Sequence, residues 1–117
     1  MGRPKGPAVD PAWAQAMRQV AASPNVSMKF SSYFDVYGAG PNTWRAPTAV
    51  DAYRAFFDVL FESFGADRLV FASNWPVNEL GGTLADEITI AEAYLAPRGR
   101  EVRDKVMYRN AMRIYRR

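Results

Sequence analysis

The sequence predicts an α/β fold built around a parallel β-α-β unit, and three observations predict it. Val26, Met28 and Phe30 alternate with Ser27, Lys29 and Ser31, the period of a strand. Residues 68–73, Arg-Leu-Val-Phe-Ala-Ser, form a short apolar run bounded by turn residues, the pattern of a buried strand. Between them, Tyr53, Phe56, Phe57, Leu60, Phe61 and Phe64 recur at helical spacing. A strand, a helical crossover and a second strand give parallel pairing with a right-handed connection.

The remaining elements follow in order. Asp10 can cap a helix over 10–22, Pro11 suits its first position, and Trp13, Ala16, Met17 and Val20 share a face. Ser23-Pro24 ends it, because the residue before a proline is driven out of the helical region. The strand over 25–31 comes next, and then 32–47, rich in glycine, proline and aromatic residues without period, reads as a long loop. The helix over 48–64 opens on Thr48 and Asp51, an approximate capping box, and closes at Gly65. Its six large apolar side chains can bury about 10–15 kcal/mol of gross hydrophobic free energy, which calls for a sheet as partner. Helices over 83–95 and 100–115 complete the chain. The first shows Leu84, Ile88, Ala91 and Leu95 on one face, and the second Val102, Val106 and Ile114 on its inner side.

Composition narrows the function. The chain has 117 residues, 49% of them apolar and 14% aromatic, which demands a core and excludes a disordered tail. No apolar run approaches the roughly 18 residues of a membrane span, and no apolar segment follows the basic N-terminus as in a secretory signal. No membrane partner is expected, and a cytoplasmic location is the default expectation. Cysteine and histidine are both absent. That removes disulfides, thiolate chemistry, the commonest metal ligand and the commonest neutral-pH general base. Residues 1–97 carry seven basic and ten acidic side chains, whereas residues 98–117 carry eight and two. The basic end is either a phosphate-binding arm or an exposed helix face whose cations suit a helix C-terminus. It lacks a nucleic-acid motif and an aromatic platform beside the arginines, so no nucleic-acid partner is expected.

In parallel α/β folds ligands sit at the carboxyl ends of the strands. Here those ends bring together Lys29, Ser31, Ser73, Asn74 and Trp75, a polar cluster flanked by aromatics and suited to a small-molecule substrate. Lys29 either binds an anionic substrate group or carries its ammonium out to solvent. Asn74 either orients substrate or water, or simply forms the turn after a strand. Trp75 is either packing or a ligand platform. Asp35, Asp51, Asp58, Asp67 and Asp86 lack ligand-like spacing and read as capping or solvated groups, and the loop 78–82 has neither the glycine spacing nor the lysine of a phosphate cradle.

Four collinear segments carry a family resemblance. "FGADRLVFASNWPV" (64–77) resembles the closing strand of the amidohydrolase-related family, metal-dependent barrel hydrolases that include sugar lactonases and 2-pyrone-4,6-dicarboxylate hydrolase. "SPNVSMKFSS" (23–32) resembles the family's preceding strand, and "RNAMRIY" (109–115) its terminal helix. "MGRPKGPAVDPAW" (1–13) is similar to the stretch after the family's mid-barrel histidine. The resemblance implies that residues 1–117 are a single partial domain: the C-terminal fragment of a (β/α)8 TIM barrel, with two parallel strands and about four helices. It implies a hydrolase acting on a lactone or similar cyclic ester, inactive as this chain alone. Beginning where it does, the chain reads as a mis-assigned start or a truncated gene product. The family's divalent metal is expected only in the full-length protein, and none for this chain alone. The family's catalytic aspartate, in "S-D-W-P", lands on Asn74, which is neutral and cannot serve as a base or a charged ligand. This departure marks either a subgroup or a loss of function. Two strands with open edges also imply self-association or pairing with a separate N-terminal barrel chain.

Overall fold

Local chemistry sets the first helix. The structure, a computed structural model, describes residues 8–31, 33, 46–74 and 82–115. Helix α1 (Pro11–Ala21) begins where the Asp10 carboxylate accepts from the Ala12 amide at 2.9 Å, with Pro11 in the first turn. Its inner face is rotated from the expected one: Ala14 and Ala21 are buried, Trp13 and Met17 half-buried, and Ala16 and Val20 exposed. The reason is the neighbour, because α1 leans on the crossover helix through Trp13, whose ring lies 5.9 Å from Phe56. The chain then turns through residues 23–26, with the Val26 amide bonded to the Ser23 carbonyl at 3.1 Å.

That turn shortens the first strand. β1 is Met28–Phe30, not the whole of 25–31, because residues 23–26 spend their backbone groups on the turn. Among the described residues after β1, a 3₁₀ turn (Val50–Ala52) leads into helix α2 (Arg54–Phe64). The expected capping box does not form. The Asp51 carboxylate instead takes the Arg54 guanidinium at 2.9 and 3.1 Å, and helix α2 starts after Tyr53 with no side-chain cap. Gly65, at φ 72°, ends α2 in a backbone conformation that costs glycine nothing. Strand β2 (Leu69–Phe71) follows, one residue shorter at its start and two at its end than the apolar run.

β1 and β2 pair in parallel, in the register Met28↔Leu69, Lys29↔Val70 and Phe30↔Phe71. The Met28 amide bonds Arg68 O at 2.8 Å and the Ala72 amide bonds Phe30 O at 3.3 Å, bracketing the ladder. Strand alternation gives the sheet two unlike faces. Phe30 and Leu69, both fully buried, turn toward the helices, where Phe30 meets Phe57 at 4.5 Å and Tyr94 at 6.1 Å between ring centres. Tyr53, Phe57 and Phe64 of the predicted aromatic stripe are buried, and Leu60 and Phe61 pack against them.

Helix α3 (Leu84–Leu95) is capped by Thr83, whose hydroxyl accepts from the Asp86 amide at 3.0 Å. Its buried face is Glu87, Ile90, Ala91, Tyr94 and Leu95, so Leu84 and Ile88 sit at the margin rather than the centre. Across a 3₁₀ turn (Ala96–Arg98), α4 (Arg100–Asp104), a π-helical segment (Lys105–Arg109) and α5 (Asn110–Tyr115) run on as one helical rod. The rod seats on β2 through Val106 and Asn110, both buried. Asn110 donates to Ala66 O at 2.6 Å and to Leu69 O at 2.8 Å. That contact ends a turn before Ile114, which is 39% exposed and not the inner residue expected.

Candidate functional site

The parallel register decides which side chains meet. Since Lys29 stands opposite Val70 and the ladder runs on to Ala72, Ser31 lies beside Ala72, with Ser73 and Asn74 just beyond. Four of the expected site residues therefore share one end of the sheet. Trp75 lies outside the described residues, as does Asp35. Ser31, Ser73 and Asn74 are half-buried, but Lys29 is exposed, on the sheet face opposite Met28 and Phe30. Of β1 only Phe30 is buried, so the Lys29 ammonium reaches solvent and carries no desolvation cost.

Asn74 has φ 51°, in the left-handed region. Asparagine tolerates that region better than other side-chain-bearing residues, and a β-branched residue there would be strained.

Behind this edge sits a group that the sequence pattern did not single out. Tyr33, two residues beyond Ser31, is 4% exposed and donates its hydroxyl to the Glu87 carbonyl in the first turns of α3. Its ring meets Tyr53 edge-on at 5.4 Å and Phe57 at 5.1 Å. Tyr53 in turn donates to Pro47 O at 2.7 Å. Burial, then the Glu87 carboxylate and Tyr53, push the Tyr33 phenol well above the usual tyrosine range. Tyr33 thus ties the segment after β1 to the helix after β2, fixing the two strand ends relative to each other. Glu87, fully buried, was findable: it is in phase with Ile90, Ala91 and Tyr94. Tyr33 was not, because its partners lie far along the chain.

The carboxylates resolve as structural groups. Asp58 accepts from the Tyr94 hydroxyl at 2.6 Å, while Arg98 donates to that hydroxyl at 2.7 Å and lies 4.2 Å from the Phe61 ring centre. Burial, then the bond to Asp58, raise the Tyr94 phenol above its usual range. Asp67 pairs with Lys105 at 2.9 Å. Zinc favours three or four histidine, cysteine or carboxylate ligands. The chain has no histidine or cysteine, and no group of three metal-binding side chains occurs among the described residues. Asn74 can offer one neutral amide oxygen. The described residues do not fit a zinc centre. Among the described residues no helix is long and apolar enough to cross a membrane.

The comparisons with known proteins agree with this architecture. The family described as amidohydrolase matches residues 1–117. The L-fucono-1,5-lactonase of Burkholderia ambifaria is 37% identical over 75 residues, which is 64% of this chain and 23% of that protein. The zinc-bound crystal structure of an amidohydrolase from Burkholderia multivorans superposes with a TM-score of 0.78 at 26% identity, covering 88% of this chain and 36% of that one. Amidohydrolase 2 from Bifidobacterium longum subsp. infantis superposes at 0.64 with 23% identity, covering 93% of this chain and 35% of that one, a likeness of fold alone. The chain thus spans about a third or less of the length of these relatives. Its two parallel strands and surrounding helices are part of a (β/α)8 barrel.

Proposed function

The chain belongs to the amidohydrolase family, and from that premise we propose that it supplies the substrate-facing rim of a hydrolase that opens a lactone or similar cyclic ester. One observation carries the reading: the parallel pairing of β1 and β2 sets Lys29, Ser31, Ser73 and Asn74 at one end of the sheet, where barrel enzymes bind substrate. The sequence identity with a sugar lactonase favours a hydroxylated lactone as the substrate class.

Opening such a ring requires water to add to the carbonyl, a base to take its proton and donors to hold the oxyanion. This chain's residues serve the binding side of that chemistry. Lys29 attracts an anionic or electron-rich part of the substrate, Ser31 and Ser73 bond its hydroxyls, and Trp75 offers a flat apolar face to the ring. Asn74 orients a carbonyl or a water through its amide, and it cannot take the water's proton. A divalent metal, when bound by the complete barrel, would supply Lewis acidity and activate water. The zinc-bound relative supports such a metal, but its ligands would come from outside these 117 residues, so the chain alone is proposed to be inactive.

The test is hydrolysis of a sugar 1,5-lactone followed by acid release. The chain alone should stay at background, and so should its Asn74→Asp variant, since the proposal places the other metal ligands outside this chain. Joined to the front two thirds of the B. ambifaria lactonase, it should restore turnover that falls on Lys29→Ala. Turnover by the chain alone, or a restored barrel indifferent to Lys29→Ala, would sink the proposal.

A second reading has its own support. Each strand of the two-stranded sheet has one edge without a partner strand among the described residues. Such edges pair with further strands, so the chain could act as an assembly module for a separate N-terminal barrel chain.

A further inference from the structure

Ser31 and Asn74 follow different strands, and each leaves the sheet on its own connection. The ladder that aligns them is short, three residue pairs from Met28↔Leu69 to Phe30↔Phe71. Toward the site it closes on the Ala72 amide, 3.3 Å from Phe30 O, longer than an ordinary N–H···O bond. A group that holds the two connections together from outside the ladder would therefore decide how precisely Ser31 faces Ser73 and Asn74.

Tyr33 is such a group. It lies two residues past Ser31, at most ~7 Å of extended chain away. Its hydroxyl donates to the carbonyl of Glu87, on the helix that follows β2, and Glu87 is itself fully buried, with its amide on Thr83 O at 3.1 Å. The ring is seated by Phe30 at 6.1 Å, Tyr53 at 5.4 Å and Phe57 at 5.1 Å between centres. A phenylalanine would fill that seat as well, so what the hydroxyl adds is a directed bond from one connection to the other. Burial, then Glu87 and Tyr53, hold the phenol above the usual tyrosine range, and the donor proton is in place at neutral pH. Both ends of the tie lie inside the described core, so no further strand is needed to make it.

We infer that Tyr33 is a positioning residue of the site: its bond to α3 holds Ser31 at one distance from Asn74, so that the serine hydroxyl meets the substrate in a single geometry. This role rests on the reading of the strand ends as the substrate rim. Tyr33 is buried and touches no substrate; it acts through Ser31. Misplacing a reacting or binding group by about 1 Å costs on the order of a hundredfold in rate, so a partial loosening of Ser31 is a measurable loss.

Two measurements on Tyr33→Phe test it. Amide hydrogen exchange on the whole chain reads the tie: the Ala72, Asp86 and Glu87 amides should exchange about five- to tenfold faster, while the Gly65 amide, on Phe61 O at 2.8 Å, keeps its rate. Tyr53→Phe, which loses its bond to Pro47 O, should not give this pattern. Equal rates at all four amides in Tyr33→Phe and parent overturn the inference. The second measurement is lactone hydrolysis by the barrel restored with the front of the B. ambifaria lactonase. There Tyr33→Phe should lower kcat/KM by about tenfold. Added to Ser31→Ala it should cost little more, because the group it positions is already gone, whereas Tyr53→Phe and Ser31→Ala should multiply. Multiplying losses for Tyr33→Phe and Ser31→Ala would show a merely structural tyrosine and overturn the inference while leaving the rim reading intact. So would a barrel that responds to Lys29→Ala but not to Ser31→Ala. A barrel without turnover, or one indifferent to both of those variants, sinks the rim reading and this role with it.

Discussion

Replacing Asn110 by leucine removes one amide group and reveals how the C-terminal rod is held. Its Nδ2 donates to two carbonyls, Leu69 O in a buried bond and Ala66 O in a part-buried one. Leucine has the same branched set of side-chain heavy atoms, so the change opens no cavity and the loss is chiefly polar. A buried carbonyl left without a donor costs about 1–3 kcal/mol, and a partly wet one roughly 0.5–1.5 kcal/mol. Together these give a destabilisation of about 2–4 kcal/mol, a large share of the ~5–15 kcal/mol typical of a domain. In urea, with a slope of about 1–3 kcal/mol/M, the unfolding midpoint should fall by roughly 1–2 M. Asn110→Asp should be at least as damaging, because it points an acceptor at two acceptors. A leucine variant whose midpoint matches the parent would refute the reasoning and shift the seating of the rod to Val106 and to the contacts of Lys105 and Arg113 with Asp67.

Three further outcomes are expected. Arg68 donates to the carbonyls of Ser23 and Val26 at 3.0 and 3.2 Å and of Phe64 at 3.3 Å, joining the turn before β1 to the end of α2. Arg68→Lys should therefore lower the melting temperature almost as far as Arg68→Met, by roughly 5–10 °C, since one ammonium cannot span those acceptors. Tyr33, whose phenol is raised by burial and by Glu87, contributes stability that is complete below the ordinary tyrosine pKa of about 10 and lost as pH rises above it. Alkaline unfolding followed by circular dichroism should move to higher pH in Tyr33→Phe, once its lower stability at neutral pH is subtracted. The Asp67 carboxyl is held low by its hydrogen bond to Lys105 and by that ammonium's charge, so its contribution is present above a pH of about 4 and fades as the pH drops further. Lys105→Met should flatten that part of the acid stability curve, and an unchanged curve would show the pair to be idle in solution.

The elements were legible because each has a strong local signal. The aromatic stripe of α2, the Asp10 cap and the Gly65 stop all act within a few residues of themselves. Misreadings arose where a competing partner was available nearby or across space. Asp51 chose Arg54 over a capping role, and α1 turned its face toward Phe56. The rod seats by a polar residue, Asn110, where a search for apolar spacing favoured Ile114. The shared location of Lys29, Ser31, Ser73 and Asn74 was legible from the rule that parallel strands end together. Tyr33 and its bond to Glu87, 54 residues away, could not be read from spacing, because no local pattern encodes a contact of that range.

The sheet also explains why the fold is easier to read than the chemistry. Along β1, Met28 and Phe30 turn toward the helices while Lys29 between them turns the other way and stays exposed. The folding information is carried by apolar residues whose burial is dictated by water, and any large hydrophobe at position 30 would serve nearly as well. Exposed Lys29 and the half-buried polar residues of the strand end contribute little to stability, unlike Val70 on the same face as Lys29, which is buried. Lysine, two serines and an asparagine include no anionic side chain, and that composition fits binding and orientation of an oxygen-rich ligand better than ligation of a cation. On the proposed reading, the same chain folds by one set of residues and leaves their neighbours, one position away, to bind substrate.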